Sequence, residues 1–285
     1  MIENGQPVLE DWDPAPTADS GGSFRVSTVS GFTGDDQVRR LNLHLLVFVA
    51  AGRGSLMIDF VDHELVPGTL LLARPGQVRQ LSATAGATLD AIAISFSAAF
   101  PARFPLPDTS VVDDIYGTLT WRLTGEDRDI IEHSFRELER EYRIAGERGP
   151  RVELLRLLMA ALLLRIVLLS ADTRTETPLL DAHYLAFRRE LTRTFRTEHM
   201  ASEYARRLGI SARTLNRICL RASGYTAKQL IEARLVLEAQ RLLAYTDLPV
   251  HAVADRLGFS EATNFVKFFA RHAHRTPSEF RRSHR

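Results

Sequence analysis

Ala205-Arg206-Arg207-Leu208-Gly209-Ile210-Ser211 is answered 49 residues later by Ala254-Asp255-Arg256-Leu257-Gly258-Phe259-Ser260. Each block reads as the end of one helix, a glycine turn and the start of a second helix, which is the pattern of a helix-turn-helix. Past the turn the offset becomes 50: Leu215 matches Phe265, Arg217 matches Lys267, Cys219 matches Phe269 and Thr226 matches Thr276. The second turn is therefore one residue longer. A repeat of this length means two copies of one supersecondary unit.

Each matched residue type has a physical job. Ala205 and Ala254 are small enough for the two helices of a unit to cross closely. Gly209 and Gly258 supply the left-handed backbone that ends the first helix. Ser211 can cap the second helix of the first unit, and Ser260 or Glu261 stands at that place in the second. Thr226 with Gln229, and Thr276-Pro277-Ser278-Glu279, read as capping boxes. Leu215, Cys219, Phe265 and Phe269 repeat four apart and face the core, which makes packing the role of Cys219.

Subtracting the buried face leaves Ala212, Arg213, Asn216 and Arg217 in the first unit. In the second it leaves Ala262, Thr263, Asn264, Val266 and Lys267. Arg and Asn can pair bidentately with guanine and adenine edges, Lys reaches guanine or phosphate, and Ala and Val offer only apolar contact. More base reading is expected from the first unit and more backbone contact from the second. Between them Ala227–Tyr245 reads as one long helix, about 28 Å at 1.5 Å per residue. That suits holding two recognition helices about 34 Å apart, one turn of DNA.

Charge agrees with this reading. Residues 183–285 carry 19 Lys and Arg against 9 Asp and Glu, whereas residues 1–182 carry 17 against 26. A basic C-terminal half on an acidic body is the electrostatic footprint of nucleic-acid binding. The single cysteine, Cys219, excludes an internal disulfide framework and fits a reducing cytoplasm. The first twenty residues are acidic and proline-bearing, without the apolar run of a secretory signal. The apolar stretch 154–169 is interrupted by Arg156 and Arg165, which argues against a membrane span.

The rest of the chain divides by pattern. Residues 1–22, with three prolines and three glycines, read as a flexible arm. Phe24–Phe96 reads as β: Leu41–Val49, a turn at Ala51–Gly54, Ser55–Phe60, Leu70–Leu72 between Val66-Pro67-Gly68 and Arg74-Pro75-Gly76, then Thr88–Phe96. Short strands with Gly/Pro turns suggest a small barrel or sandwich. Residues 97–125 are an irregular bridge. Glu126–Ala145 and Arg151–Ser170 read as a helical pair within 126–170, the second helix apolar around most of its girth. Its burial is expected on the chain's own barrel, in a homodimer interface, or both on different faces. Residues 171–182 are a polar, Thr-rich linker, and 183–285 the DNA-binding domain, with helix-turn-helix units near 200–221 and 250–272.

The C-terminal stretch resembles the AraC/XylS family of bacterial transcription regulators. The resemblance covers roughly 183–283. It rests on Tyr204–Ser211, Leu215-Asn216-Arg217, Ala233-Arg234-Leu235, Glu238–Leu243, Val253–Phe259, Asn264–Phe269 and Thr276–Arg281. It implies two helix-turn-helix subdomains joined by a helix, bound to double-stranded promoter DNA, with activation through contact with RNA polymerase. The family usually has Arg where Lys267 stands and favours Gly where His274 stands. Lys267 lacks the bidentate fork, which weakens base reading by its helix.

Residues 23–125 look like the family's cupin-type effector domain, through Val47–Gly54, Val66-Pro67-Gly68 and Arg74-Pro75-Gly76. Metal-holding cupins use a His-x-His pair, an acid and a later His. Here His44 is alone on its strand and Arg79 stands where the later His is expected, so neither a metal nor another cofactor is expected. His44, Arg74 and Arg79 are the polar candidates to bind a small effector, and an inward-pointing one suits an anionic or hydroxylated ligand.

The expected architecture is an α+β multidomain chain: an N-terminal cupin-like β-barrel with a helical pair, then an all-α domain of two tandem helix-turn-helix subdomains. The expected function is a cytoplasmic, dimeric, effector-controlled DNA-binding regulator with no enzymatic activity and no membrane partner. Two alternatives stay open: a regulator controlled by a partner protein, and a metal-dependent cupin enzyme fused to a DNA-binding module.

Overall fold

The computed structural model describes residues 23–30, 38–82, 89–101, 119–144, 150–172 and 182–284. The arm at 1–22, most of the bridge at 97–125 and most of the linker at 171–182 lie outside them. The described residues fall into two compact units, one within Glu10–Thr177 and one within Pro178–Arg285.

Among the described residues the first unit carries nine strands and two helices. The strands are β1 (Phe24–Ser30), β2 (Arg39–Arg40), β3 (His44–Gly52), β4 (Gly54–Ile58), β5 (Val61–Leu65), β6 (Thr69–Ala73), β7 (Val78–Ser82), β8 (Leu89–Phe96) and β9 (Leu119–Arg122). They pair antiparallel: β1 with β8, β2 with β7, β3 with β6 and β4 with β5. This is one long hairpin of eight strands. It rolls up through the β3–β8 and β4–β7 ladders into two sheets, ordered β1-β8-β3-β6-β9 and β2-β7-β4-β5. Such pairing is jelly-roll connectivity. The expected barrel is thus a two-sheet sandwich, and among the described residues no ladder closes it into a cylinder.

The larger sheet is covered on both faces. Leu45, Val47, Val49, Leu71, Ala73, Ala91 and Ala93 face the second sheet, against Leu56, Ile58 and Leu65. Their chain neighbours Leu46, Phe48, Leu70, Leu72, Ile92, Ile94 and Phe96 face two helices, α1 (Gly125–Ile144) and α2 (Pro150–Asp172). Strands buried on both faces lose the alternation of a half-buried strand. That is why β3, β6 and β8 read as nearly continuous apolar runs.

The strand at Val61–Leu65 has no counterpart in the sequence reading, which ran a strand on to Phe60. The chain turns there instead. Asp59 and Phe60 take φ of 48° and 69°, the two positive values of a tight hairpin turn. The Asp59 carboxylate secures the turn by accepting from the Val78 N–H at 3.0 Å and the Gln77 side-chain amide at 2.8 Å. Neither residue is Asn or Gly, the usual sequence mark of this turn.

The second unit is helical: α3 (Ala182–Thr194), α4 (Ala201–Arg207), α5 (Ala212–Ser223), α6 (Ala227–Tyr245), α7 (Val250–Arg256), α8 (Ala262–Ala273) and α9 (Pro277–Arg282). Helices α4 and α5 repeat as α7 and α8, as the internal repeat requires. Their packing cores are Leu215, Cys219 and Tyr204 in the first copy and Phe265, Phe269 and Val253 in the second, all fully buried. The second copy fills its volume with rings: Phe259, Phe265, Phe269 and Phe280 form a chain of contacts with centroids 5.4–5.9 Å apart.

Candidate nucleic-acid interface

The two copies are built by the same backbone chemistry. After α4, Gly209 (φ 68°) gives its N–H to Arg206 O at 3.1 Å and Ile210 gives its N–H to Ala205 O at 3.0 Å. After α7, Gly258 (φ 75°) bonds Asp255 O at 3.0 Å and Phe259 bonds Ala254 O at 3.0 Å. Both are Schellman endings, which satisfy carbonyls that the helix leaves open. Ala205 and Ala254 are buried at the crossings.

The recognition helices then start differently. Ser211 caps α5 by accepting from the Thr214 N–H at 3.1 Å. The capping position of α8 is Glu261, whose side chain makes no capping bond. This is where the extra residue of the second copy goes. The helices end alike, at Gly224 (φ 76°) and at His274 (φ 54°), both left-handed. Thr226 and Thr276 then adopt the same φ of −71° and ψ of 157°, and each closes a capping box, with Gln229 and with Glu279.

Ala212, Arg213 and Arg217 are exposed on α5. On α8, Thr263, Asn264 and Lys267 are exposed, while Ala262 and Val266 are half-buried. Residues three and four apart share a helix face, so Arg213 and Arg217 form one basic row that continues to exposed Arg221. The matching row on α8 runs Thr263, Lys267, Arg271. Arg221 and Arg271 stand 50 apart, at the offset of the repeat, and the sequence analysis did not place them on this face. Arg271 is steadied by Glu232 at 3.3 Å.

Asn216 is placed differently from its neighbours. It is half-buried, and its side-chain oxygen accepts the N–H of Ala227, the first residue of α6, at 3.0 Å. This bond spans from recognition helix to connecting helix. Nothing in the sequence spacing signalled it.

One ion pair holds α4 against α3, and a second, within α3, shares its carboxylate. Arg207 meets Glu190 at 2.6 Å and Arg193 meets the same carboxylate at 2.8 Å. The Arg207 hydrogen bond, with help from Arg193, keeps the Glu190 carboxyl below its ordinary range. Burial pushes the Cys219 thiol up to about 12, as its packing role implies.

The effector candidates of the sandwich separate. His44 sits on the helix-facing side of β3, stacked on Phe96 with centroids 5.0 Å apart. Arg74 is buried in the turn after β6, where its N–H donates to the Gln77 side-chain oxygen at 2.8 Å. Arg79 stands opposite Ile58 and therefore points between the sheets. Register puts two further arginines on inner faces at the same end: Arg39 directly opposite Arg79, and Arg25 opposite Ser95, whose other neighbour is Leu45. The Nε atoms of Arg39 and Arg79 are covered by protein. Among the described residues no three His, Cys, Asp or Glu side chains gather to hold a metal ion, and no helix is long and apolar enough to cross a membrane.

Comparison with known proteins places the repeat. A family profile described as a helix-turn-helix domain matches residues 204–283. The HTH-type transcriptional regulator RipA of Corynebacterium glutamicum is 38% identical over 78 residues, 27% of this chain and 23% of RipA. The chain thus spans about a quarter of that relative's length. Among solved structures, ToxT from Vibrio cholerae aligns over 91% of this chain and 98% of its own, at 14% identity and a TM-score of 0.44. The C-terminal domain of AraT, a response regulator from Geobacillus stearothermophilus, covers 36% of this chain and 87% of its own, at 24% identity and a TM-score of 0.35. The profile match at residues 204–283 thus takes in both copies of the repeat, as a helix-turn-helix domain.

Proposed function

We propose that the chain is a sequence-specific DNA-binding transcription regulator of the AraC/XylS kind, acting in the cytoplasm on promoter DNA and on RNA polymerase rather than as an enzyme. One observation carries this. Two recognition helices, each entered from a glycine turn and each followed by a capping box, both turn basic side chains to solvent, Arg213, Arg217 and Arg221 on one and Lys267 and Arg271 on the other. The base readers are Arg213 and Arg217 on α5 and Thr263 and Asn264 on α8, with Lys267 as a phosphate contact and Ala212, Ala262 and Val266 as apolar contacts. Asn216 reads through its amide nitrogen while its oxygen serves α6. Selecting DNA fragments bound by the full chain tests this. A bipartite site with its halves about one helical turn apart supports the reading, and selection of no common sequence at low salt refutes it.

The domain assignments follow. Residues 23–125 serve as a cupin-like effector domain, 126–170 as the dimerisation pair, 171–182 as a linker and 183–285 as the DNA-binding domain. The effector is anionic, because Arg25, Arg39 and Arg79 converge on one end of the inter-sheet space. Calorimetric titration with small carboxylates and phosphates, against the chain and its Arg79→Ala variant, tests this. A partner-controlled regulator would show no heat with any of them.

The dimer is supported by the outward face of α2. Leu155, Met159, Leu162, Leu163 and Ile166 pack on the sheet. Leu154, Leu157, Leu164 and Leu168 remain 40%, 48%, 40% and 58% exposed. With exposed Ala161 they run 154, 157, 161, 164, 168, alternating steps of three and four. That is the seam of a coiled coil, and it fits the same helix of a second copy. We infer that the helix packs on its own sheet with one face and on a second copy with the other.

A further inference from the structure

We propose that the loop between α3 and α4 is a cross-brace that fixes the distance and angle between the two reading units, so that Arg196, Glu238 and Gly258 are positioning residues for operator spacing. The inference rests on the DNA-binding reading above.

Residues 195–200 reach three elements at once. Toward the first unit, the Glu198 carbonyl accepts the Tyr204 hydroxyl at 3.0 Å, and Tyr204 is fully buried in α4. Toward the connecting helix, Arg196 donates to Glu238 Oε1 at 2.7 Å. Glu238 has no exposed surface, and its other oxygen accepts from Arg234 at 3.2 Å and Arg241 at 3.1 Å, both on α6. Phe195 is buried beneath the Arg234 guanidinium, 3.9 Å from the ring centre. Toward the second unit, the Arg196 carbonyl lies against Gly258. A Cβ on residue 258 would stand 2.1 Å from that oxygen. Beside it the His199 ring lies 5.1 Å from that of Phe259.

The geometry explains why two identical turns make different demands. At Gly209 a Cβ would meet nothing within 4 Å, so glycine is there for its left-handed φ alone. At Gly258 it is also there for space. Without the brace, the units would be joined by α6 alone, and a single helix leaves each end free to rock and twist. The brace adds a second connection between residues 62 positions apart in sequence. A carboxylate sealed among guanidiniums gives it stiffness, because breaking one partner would leave buried charge uncompensated.

The test uses the full chain and its selected operator. One base pair inserted between the half-sites moves them about 3.4 Å apart and about a tenth of a turn around the helix. The native chain is expected to lose about tenfold or more in affinity for each such change. Arg196→Ala and Gly258→Ala are expected to bind the native spacing more weakly, yet to tolerate one inserted or deleted pair with under about threefold further loss. Arg196→Lys restores part of the discrimination. A folded Arg196→Ala protein that discriminates spacing as sharply as the native chain overturns the proposal. A second measurement needs no DNA, so it stands if the DNA-binding reading fails. Spin labels on Arg221→Cys and Thr263→Cys report the distance between recognition helices. A single narrow distribution that broadens in Arg196→Ala and in Glu238→Gln is expected, and equal widths refute the brace.

Discussion

The side-chain oxygen of Asn216 accepts the backbone N–H of Ala227 at 3.0 Å. A half-buried residue of a recognition helix is thereby the partner of a helix N-terminus, where four N–H groups lack intrahelical acceptors. Asn216→Ala is expected to cost about 1 kcal/mol of stability by urea denaturation. Asn216→Asp keeps the acceptor and is expected to keep most of that stability. Equal losses in both variants would remove the capping role.

Arg217 has the opposite profile. It is exposed, so Arg217→Ala is expected to change stability by less than about 0.5 kcal/mol. Its operator affinity should fall about tenfold to a hundredfold, with relaxed sequence preference at one position. Lys267→Ala should weaken all sequences alike and flatten the salt dependence by about one unit of slope. A footprint unchanged in Arg217→Ala would count against this assignment of readers.

His274 takes φ 54° at the end of α8, where its repeat counterpart is Gly224 at φ 76°. A Cβ in this region costs of order 1 kcal/mol. His274→Gly is therefore expected to raise the melting temperature by a few degrees. A lower melting temperature would mean that the imidazole contributes more than the strain removes.

Cys219 is fully buried and its thiol is pushed up to about 12 by burial. The thiolate is the reactive form, and it is scarce at every pH well below that value. Native protein at pH 8 is expected to leave a disulfide reagent unreacted for hours, with one thiol released on denaturation. Rapid labelling of the native chain would contradict this placement.

The exposed seam on α2 gives the last expectation. Paired Leu157→Glu and Leu164→Glu substitutions place charge in the centre of the seam while leaving the sheet-packed face intact. Light scattering is expected to show a monomer, with unchanged strand and helix content by circular dichroism. A monomeric native chain would refute the seam as an interface.

The tandem units were legible because their determinants are local. Glycine turns, threonine caps and apolar spacing act within a dozen residues, so Gly209, Gly258, Thr226 and Thr276 could be read one by one. What was not legible is set by contacts far apart in sequence. Arg196 meets Glu238 and Gly258 across 42 and 62 positions, and no periodicity encodes such a meeting. The bond from Asn216 to Ala227 escaped because helical spacing gives a face but not a hydrogen-bond partner. Val61–Leu65 escaped because Asp59-Phe60 makes a glycine-type turn without glycine. His44 was read as a ligand candidate although the ladder turns it away from the inter-sheet space. Arg25 and Arg39 were passed over because which face they occupy follows only from pairing with β8 and β7.

The two-sided burial of the larger sheet has a mechanical consequence. Leu71 faces the second sheet while Leu70 and Leu72, its chain neighbours, press on the helices. About 3.3 Å of backbone separates successive side chains that point to opposite faces. Close-packed interiors transmit strain instead of absorbing it. The sheet is thus a diaphragm one residue thick, and spreading its inner face is expected to displace the helix whose far side carries the exposed leucines.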